Sequence, residues 1–341
     1  MKSIALSIIL LFSFLVSANQ SFAQTPVDHM NELTSSFAVV KRDTWKYVKA
    51  ATQGKPKKIE KTRIELLKKY KTAKSKVAGT QKSSLRTAAI NYLDMCYTVL
   101  KEDYDKILDM QDIAEQSYDL MEAYMLAQEK AGEKLEEAFE AYKIAEKEYA
   151  AANNIELRES DEKDKDKVTK KIDKASDALK YYNKIYLIFF KSYKQEAYAM
   201  DALNRADISS LEQNANSLGS LSEEGLGKLK EMESYKGYGG LKTTASKFLN
   251  FYKTESEKDF PVMIDFYLKK EAFEKAQADL ESKSKKSRTQ EDVDKYNAAS
   301  AEYNKAVNLY NEKNNAMNTK RTQLFEEWNE TIRHFFDNYS K

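Results

Sequence analysis

Side chains able to carry chemistry are few in this chain. It holds one cysteine, Cys96, and two histidines, His29 and His334, which lie near opposite ends. A thiol nucleophile needs a base partner, and neither histidine stands at catalytic spacing from Cys96. With Tyr92, Leu93 and Met95 beside it, Cys96 reads as a buried small hydrophobe. Carboxylates that work as an acid and base pair must sit about 5 to 9 Å apart around a substrate. Asp103 and Asp109, like Asp259 and Asp265, are six residues apart, which on a helix sets them about 9 Å along the axis and out of line. They are expected to keep the surface soluble. No His, Cys and carboxylate set has zinc spacing, no acidic loop has calcium spacing, and Gly237–Gly240 lacks the Lys followed by Ser or Thr of a phosphate loop. The sequence therefore implies no metal, no cofactor and no enzymatic activity. A hydrolase of envelope polymers, with a site built from distant carboxylates and tyrosines, stands as an alternative.

The strongest local feature is aromatic: Tyr181, Tyr182, Tyr186, Phe189, Phe190 and Tyr193, with Ile185, Leu187 and Ile188 between them. The apolar run between Lys184 and Lys191 is far shorter than the ~20 residues of a membrane span. Its expected place is the centre of a helical core, with a ligand groove or a membrane-inserting, toxin-like segment as alternatives. Tyr182 with Asn183 matches Trp328 with Asn329. The two asparagines are expected to join helices by hydrogen bonds, or to line a groove together with Tyr182, Tyr186, Phe189, Phe190 and Trp328.

The elements that position these residues are helices. The chain has 9 glycines and 3 prolines in 341 residues and is rich in Ala, Lys and Glu, a composition short of the breaks that strands and tight turns require. Apolar positions recur at three and four: Tyr118, Met121, Tyr124 and Met125, then Ala131, Leu135, Phe139 and Tyr142. Helices are expected over about 27–53, 57–77, 84–112 and onward to 152 after an unplaced turn, then 168–203, a stretch from 208, and a last one toward Tyr339. Ser83, Ser84 and Asp207 are expected caps, Thr289 with Asp292 a capping box, and Gly237, Gly239 and Gly240 a stop. Pro261 is expected to bend or break its helix.

A repeat runs through this pattern. Leu85, Ala89, Tyr92, Leu93, Asp103, Tyr104, Asp109 and Met110 fall 156 positions before Leu241, Ala245, Phe248, Leu249, Asp259, Phe260, Asp265 and Phe266. Tyr182, Asn183, Phe189, Phe190 and Tyr193 match Trp328, Asn329, Phe335, Phe336 and Tyr339 at an offset of 146. The charged stretch from Arg158 to Lys167 can absorb the difference. The expected fold is all-α, an elongated bundle of long antiparallel helices with an internal duplication, its related units covering about 57–193 and 208–339. Two sub-bundles joined through a continuous helix are the alternative arrangement.

Residues 1–23 have the order of a signal peptide: Lys2, an apolar stretch from Ile4 to Val16, then Ser21, Phe22 and Ala23. Cleavage after Ala23 would leave residues 24–341 as the mature chain. Lipid attachment lacks its usual cysteine. Export across the inner membrane is expected, with the periplasm, the cell surface and the extracellular space all open. With 56 basic and 54 acidic residues interspersed, the chain lacks the broad positive field that binds nucleic acid. The basic stretch Lys55, Lys57, Lys58, Lys61 and Arg63 fits the solvated face of a helix, with contact to an anionic lipid or polymer as the alternative.

The chain also resembles an uncharacterised surface-protein family of Gram-negative bacteria, including Bacteroidetes and spirochaetes. The resemblance rests on Gly54, Lys55, Lys58 and Lys61, on Tyr118, Asp119, Met121, Glu122 and Ala123, and on Tyr182, Asn183, Tyr186, Leu187, Phe189, Phe190, Lys191, Ser192 and Tyr193. It continues in Glu212–Asn214, in Arg288, Thr289, Asp292 and Val293, and in Trp328 and Asn329. It implies an exported helical protein without an assigned activity. The expected function is a non-enzymatic binding or scaffolding module whose partner is an unidentified envelope protein or polymer, with no nucleic acid and no stable transmembrane insertion.

Overall fold

A computed structural model describes residues 25–52, 56–157 and 167–340. The expected leader with its cleavage point and the stretch from Arg158 to Asp166 lie outside the described residues. The described chain is all-α. Its order is α1 (Pro26–Thr52), α2 (Pro56–Ala78), α3 (Ser84–Thr98), α4 (Tyr104–Ala114), α5 (Tyr118–Ala152), α6 (Lys167–Asn204), α7 (Ile208–Glu231), α8 (Gly240–Thr254), α9 (Phe260–Glu281) and α10 (Gln290–Tyr339). Two five-residue π-helices, π1 (Val99–Asp103) and π2 (Glu255–Asp259), join α3 to α4 and α8 to α9.

Polar side chains start these helices by accepting from otherwise unpaired backbone N–H groups. Ser83 accepts from Arg86 N at 2.9 Å, Ser117 from Leu120 N at 3.2 Å and Asp207 from Ser210 N at 3.1 Å. Thr289 and Asp292 form the reciprocal box, each backbone N–H donating to the other's side chain at 2.9 and 3.2 Å. The turn between α4 and α5 falls at Glu115–Ser117. The three glycines near 237 do not stop α7, which ends earlier at Glu231 with Met232 extended. Gly237 serves the following turn, where Tyr238 N donates to Tyr235 O at 2.8 Å and Gly237 takes φ +82°, and Gly239 and Gly240 open α8.

Pro261 does not break its helix either. It occupies the first turn of α9, where a missing N–H costs nothing. The interruption is π2, and π1 has the same form without a proline: Tyr104 N donates to Val99 O as Phe260 N donates to Glu255 O. Both π-helices follow a helix of 15 residues. Their boundaries fall at the same 156-residue offset as the sequence match.

The chain divides into two compact units, within α6 after Lys184 and within α10 before His334. In unit 1, α1, α2, α3 and α5 bury apolar stripes at three- and four-residue steps. Ile59, Leu66, Tyr70, Ala73 and Val77 of α2 are all buried. Phe37, Tyr92 and Tyr142 meet at its centre, with ring centroids 5.1 to 6.0 Å apart. In unit 2, α6, α7, α8 and α10 enclose Phe189 and Phe248, whose rings stand 4.9 Å apart.

Candidate functional site

The core of unit 2 contains a polar cluster that three elements build. α10 supplies Arg321, α6 supplies Glu196 and the first residue of π2 supplies Glu255. Arg321 Nη2 lies 2.6 Å from Glu255 Oε1, and Nε lies 2.8 Å from Glu196 Oε1. The second contact is a charge contact off the N–H direction, since neither atom completes a hydrogen bond. Nη1 donates to Asn318 Oδ1 at 2.7 Å, and the guanidinium carbon stands 5.9 Å from the Phe251 ring. Glu255 is fully buried and Glu196 nearly so. Tyr252, one helical turn before Glu255, is fully buried, and its hydroxyl and Glu255 Oε2 have no hydrogen-bond partner among the described residues.

Burial governs the protonation of this set. Removal from water, then the neighbouring Glu196, pushes the Glu255 carboxyl up to about 9, against the pull of Arg321. Burial also raises Glu196, which Arg321 partly offsets. At neutral pH Glu255 therefore keeps its proton. The enclosure leaves the carboxyl no solvent contact, so the arrangement fixes α10 against α6 and π2.

The aromatic residues singled out by sequence form the neighbouring core. Phe189 contacts Phe248, Trp328 at 5.2 Å and Tyr193 at 5.8 Å, and Tyr186 stacks on Phe190 at 5.6 Å. Tyr182 falls in unit 1, with its ring 5.3 Å from Phe336. The proposed equivalence of the asparagines fails. Asn183 Oδ1 is buried without a partner among the described residues, whereas Asn329 is exposed. Trp328 points into the core, and the residue after it lies about 100° further round the helix, in water.

Asp259 also departs from expectation. It is buried and pairs with Lys313 at 3.1 Å, while Asp103, at the same place in π1, pairs with Lys134 at 2.6 Å. Each carboxylate ties the end of its π-helix to the helix after next, Asp103 to α5 and Asp259 to α10. One nucleophile and base contact invisible to spacing does form: His29 Nε2 is 2.8 Å from Ser83 Oγ. That hydroxyl already caps α3, and the buried Nδ1 of His29 has no partner among the described residues to orient the ring. It is a helix cap and lacks the third group of a catalytic set. Cys96 is buried, and burial pushes its thiol up to about 12. Among the described residues no His, Cys, Asp and Glu grouping could hold a metal.

Comparison of the chain with protein-family models, curated proteins and solved structures gives no match. Among the described residues, no helix is long and apolar enough to cross a membrane.

Proposed function

We propose that the protein is an exported, non-enzymatic binding or scaffolding module of the cell envelope, of the surface-protein family it resembles. The leader supports export. The α9–α10 hairpin of unit 2 carries the binding part of the reading. Between Ile264 and Ala316 only Ala306 is buried. Phe266, Phe273, Tyr296, Tyr303 and Tyr310 form a row of ring contacts, 4.5 to 5.8 Å apart, between the two helices, yet none is fully buried. Leu268 and Leu309 are 53% and 39% exposed. Two helices that cover their aromatics only with each other gain apolar burial by docking. The matched helix and π-helix boundaries support descent of the two halves from one duplicated unit.

A photo-crosslinking residue at Leu268 or Leu309, activated in intact cells, tests the reading. A discrete adduct from both sites, with none from exposed Glu326, is the expected result. Absence of an adduct from either site would contradict it.

A further inference from the structure

The solvent face of α2 carries a concentration of positive charge that the near-neutral whole conceals. Lys57, Lys61, Lys68 and Lys71 follow at steps of four, seven and three, which keeps them on one side of a 3.6-residue helix, and Lys69 and Lys76 flank them. All six are exposed. They lie opposite the buried stripe of Ile59, Leu66, Tyr70, Ala73 and Val77. From Lys57 to Lys76 the row runs about 29 Å.

Little on the helix neutralises it. Its acidic residues are Glu60 and Glu65. Glu60 is held by both sides of the Arg63 fork at 2.9 and 3.0 Å. Lys74 has its own partner, Asp94, at 2.6 Å. Lys57, Lys61, Lys68, Lys69, Lys71 and Lys76 make no ion pair with another described residue. In the middle of the row Ile64 is 43% exposed, an apolar side chain with lysines on either side.

We propose that this face of α2 is a peripheral docking surface for an anionic bilayer, its lysines meeting the phosphates of the lipid headgroups. The residue types favour a diffuse surface over a single bound anion. Arginine is the side chain for fixed, bidentate phosphate recognition, whereas lysine is a mobile point charge. The one arginine of α2, Arg63, is turned inward to Glu60 and to the Leu100 carbonyl. The lysines cover a broad arc of the helix, as a plane requires, and exposed Ile64 can enter the headgroup layer beneath them. A second copy of the chain offers a weaker partner. Its most acidic helix, α5, interleaves Lys130, Lys134, Lys143 and Lys147 among its glutamates.

The proposal goes beyond the hairpin reading and uses a different unit of the protein. Its test is sedimentation of the mature full-length chain with vesicles of phosphatidylglycerol and phosphatidylcholine, or of phosphatidylcholine alone. The protein should bind only the anionic vesicles, and lose binding as salt rises. Each lysine in contact contributes about fivefold, equivalent to ~1 kcal/mol. The variant K57Q/K61Q/K68Q/K71Q should therefore bind about 10²- to 10³-fold more weakly. The charge-matched variant K230Q/K236Q/K258Q/K320Q, altered at exposed positions of unit 2 outside the Ile264 to Ala316 stretch of the hairpin, should stay within about threefold of the parent, because screening confines the attraction to the contacting face. Equal binding to neutral vesicles, equal loss in both variants, or binding to soluble dextran sulfate with none to vesicles would overturn the proposal. So would a lysine-dependent dimer in sedimentation velocity that never binds vesicles.

Discussion

Replacing Glu255 by glutamine should stabilise the protein at neutral pH, although it alters a side chain held by an arginine. Glu255 keeps its proton in the folded chain because its carboxyl is pushed up from 4.5 to about 9. Unfolding frees it to ionise at pH 7, which favours the unfolded state. Each pH unit above the unfolded value contributes ~1.4 kcal/mol, so at pH 7 the cost is about 3 kcal/mol. The native value is raised; the share of stability tied to this proton is therefore complete below pH 4.5. It falls as pH rises through the window up to about 9. Glutamine retains a carbonyl oxygen to accept from Arg321 and cannot ionise, so E255Q should gain up to about 3 kcal/mol at pH 7 and lose most of the slope across that window. Urea unfolding of parent and variant at several pH values measures both. If E255Q is less stable at pH 7 and keeps the parental slope, Glu255 is ionised in the native core and the protonation argument is wrong.

Three further outcomes follow from the geometry. A methyl group at Gly225 would meet Leu249 Cδ1 at 2.9 Å and Ile188 Cγ2 at 3.3 Å, whereas one at Gly227 meets nothing within 4 Å. G225A should then lose about 1 to 3 kcal/mol by overpacking and G227A gain about 1 by helix propensity, and opposite shifts in melting temperature are the check. Removing the Ser117 cap of α5 with S117A should cost about 1 kcal/mol in the same assay. Cys96, buried with its thiol raised to about 12, should resist Ellman's reagent in the native protein at pH 8 and react once the protein is unfolded in urea; fast native labelling would contradict its burial.

Helices were legible because their apolar positions repeat at three and four and their ends carry polar caps. The expected 27–53 and 57–77 meet Pro26–Thr52 and Pro56–Ala78. The turn before α5 was harder to place, since Glu115 and Gln116 are good helix formers and only Ser117 marks the break. Both π-helices are silent in the sequence because an added residue leaves the local apolar spacing nearly intact. Pro261 stands two residues past the end of π2, the actual interruption. The buried cluster is hidden in the sequence for a different reason: charged residues normally lie on the surface. A signal was present, however. In α10, Val293, Tyr296, Ser300, Tyr303, Val307, Tyr310, Asn314, Met317, Arg321, Leu324 and Trp328 alternate steps of three and four, and Arg321 stands in that inward row. Its acidic partners, more than 60 positions away in sequence, could be paired only by the fold.

Export underlies the functional reading, and the mature N-terminus tests it most directly. Protein recovered from fractionated cells should begin at Gln24 and appear in the periplasmic, surface or extracellular fraction. A chain that still begins at Met1 and stays in the cytosol would contradict the account.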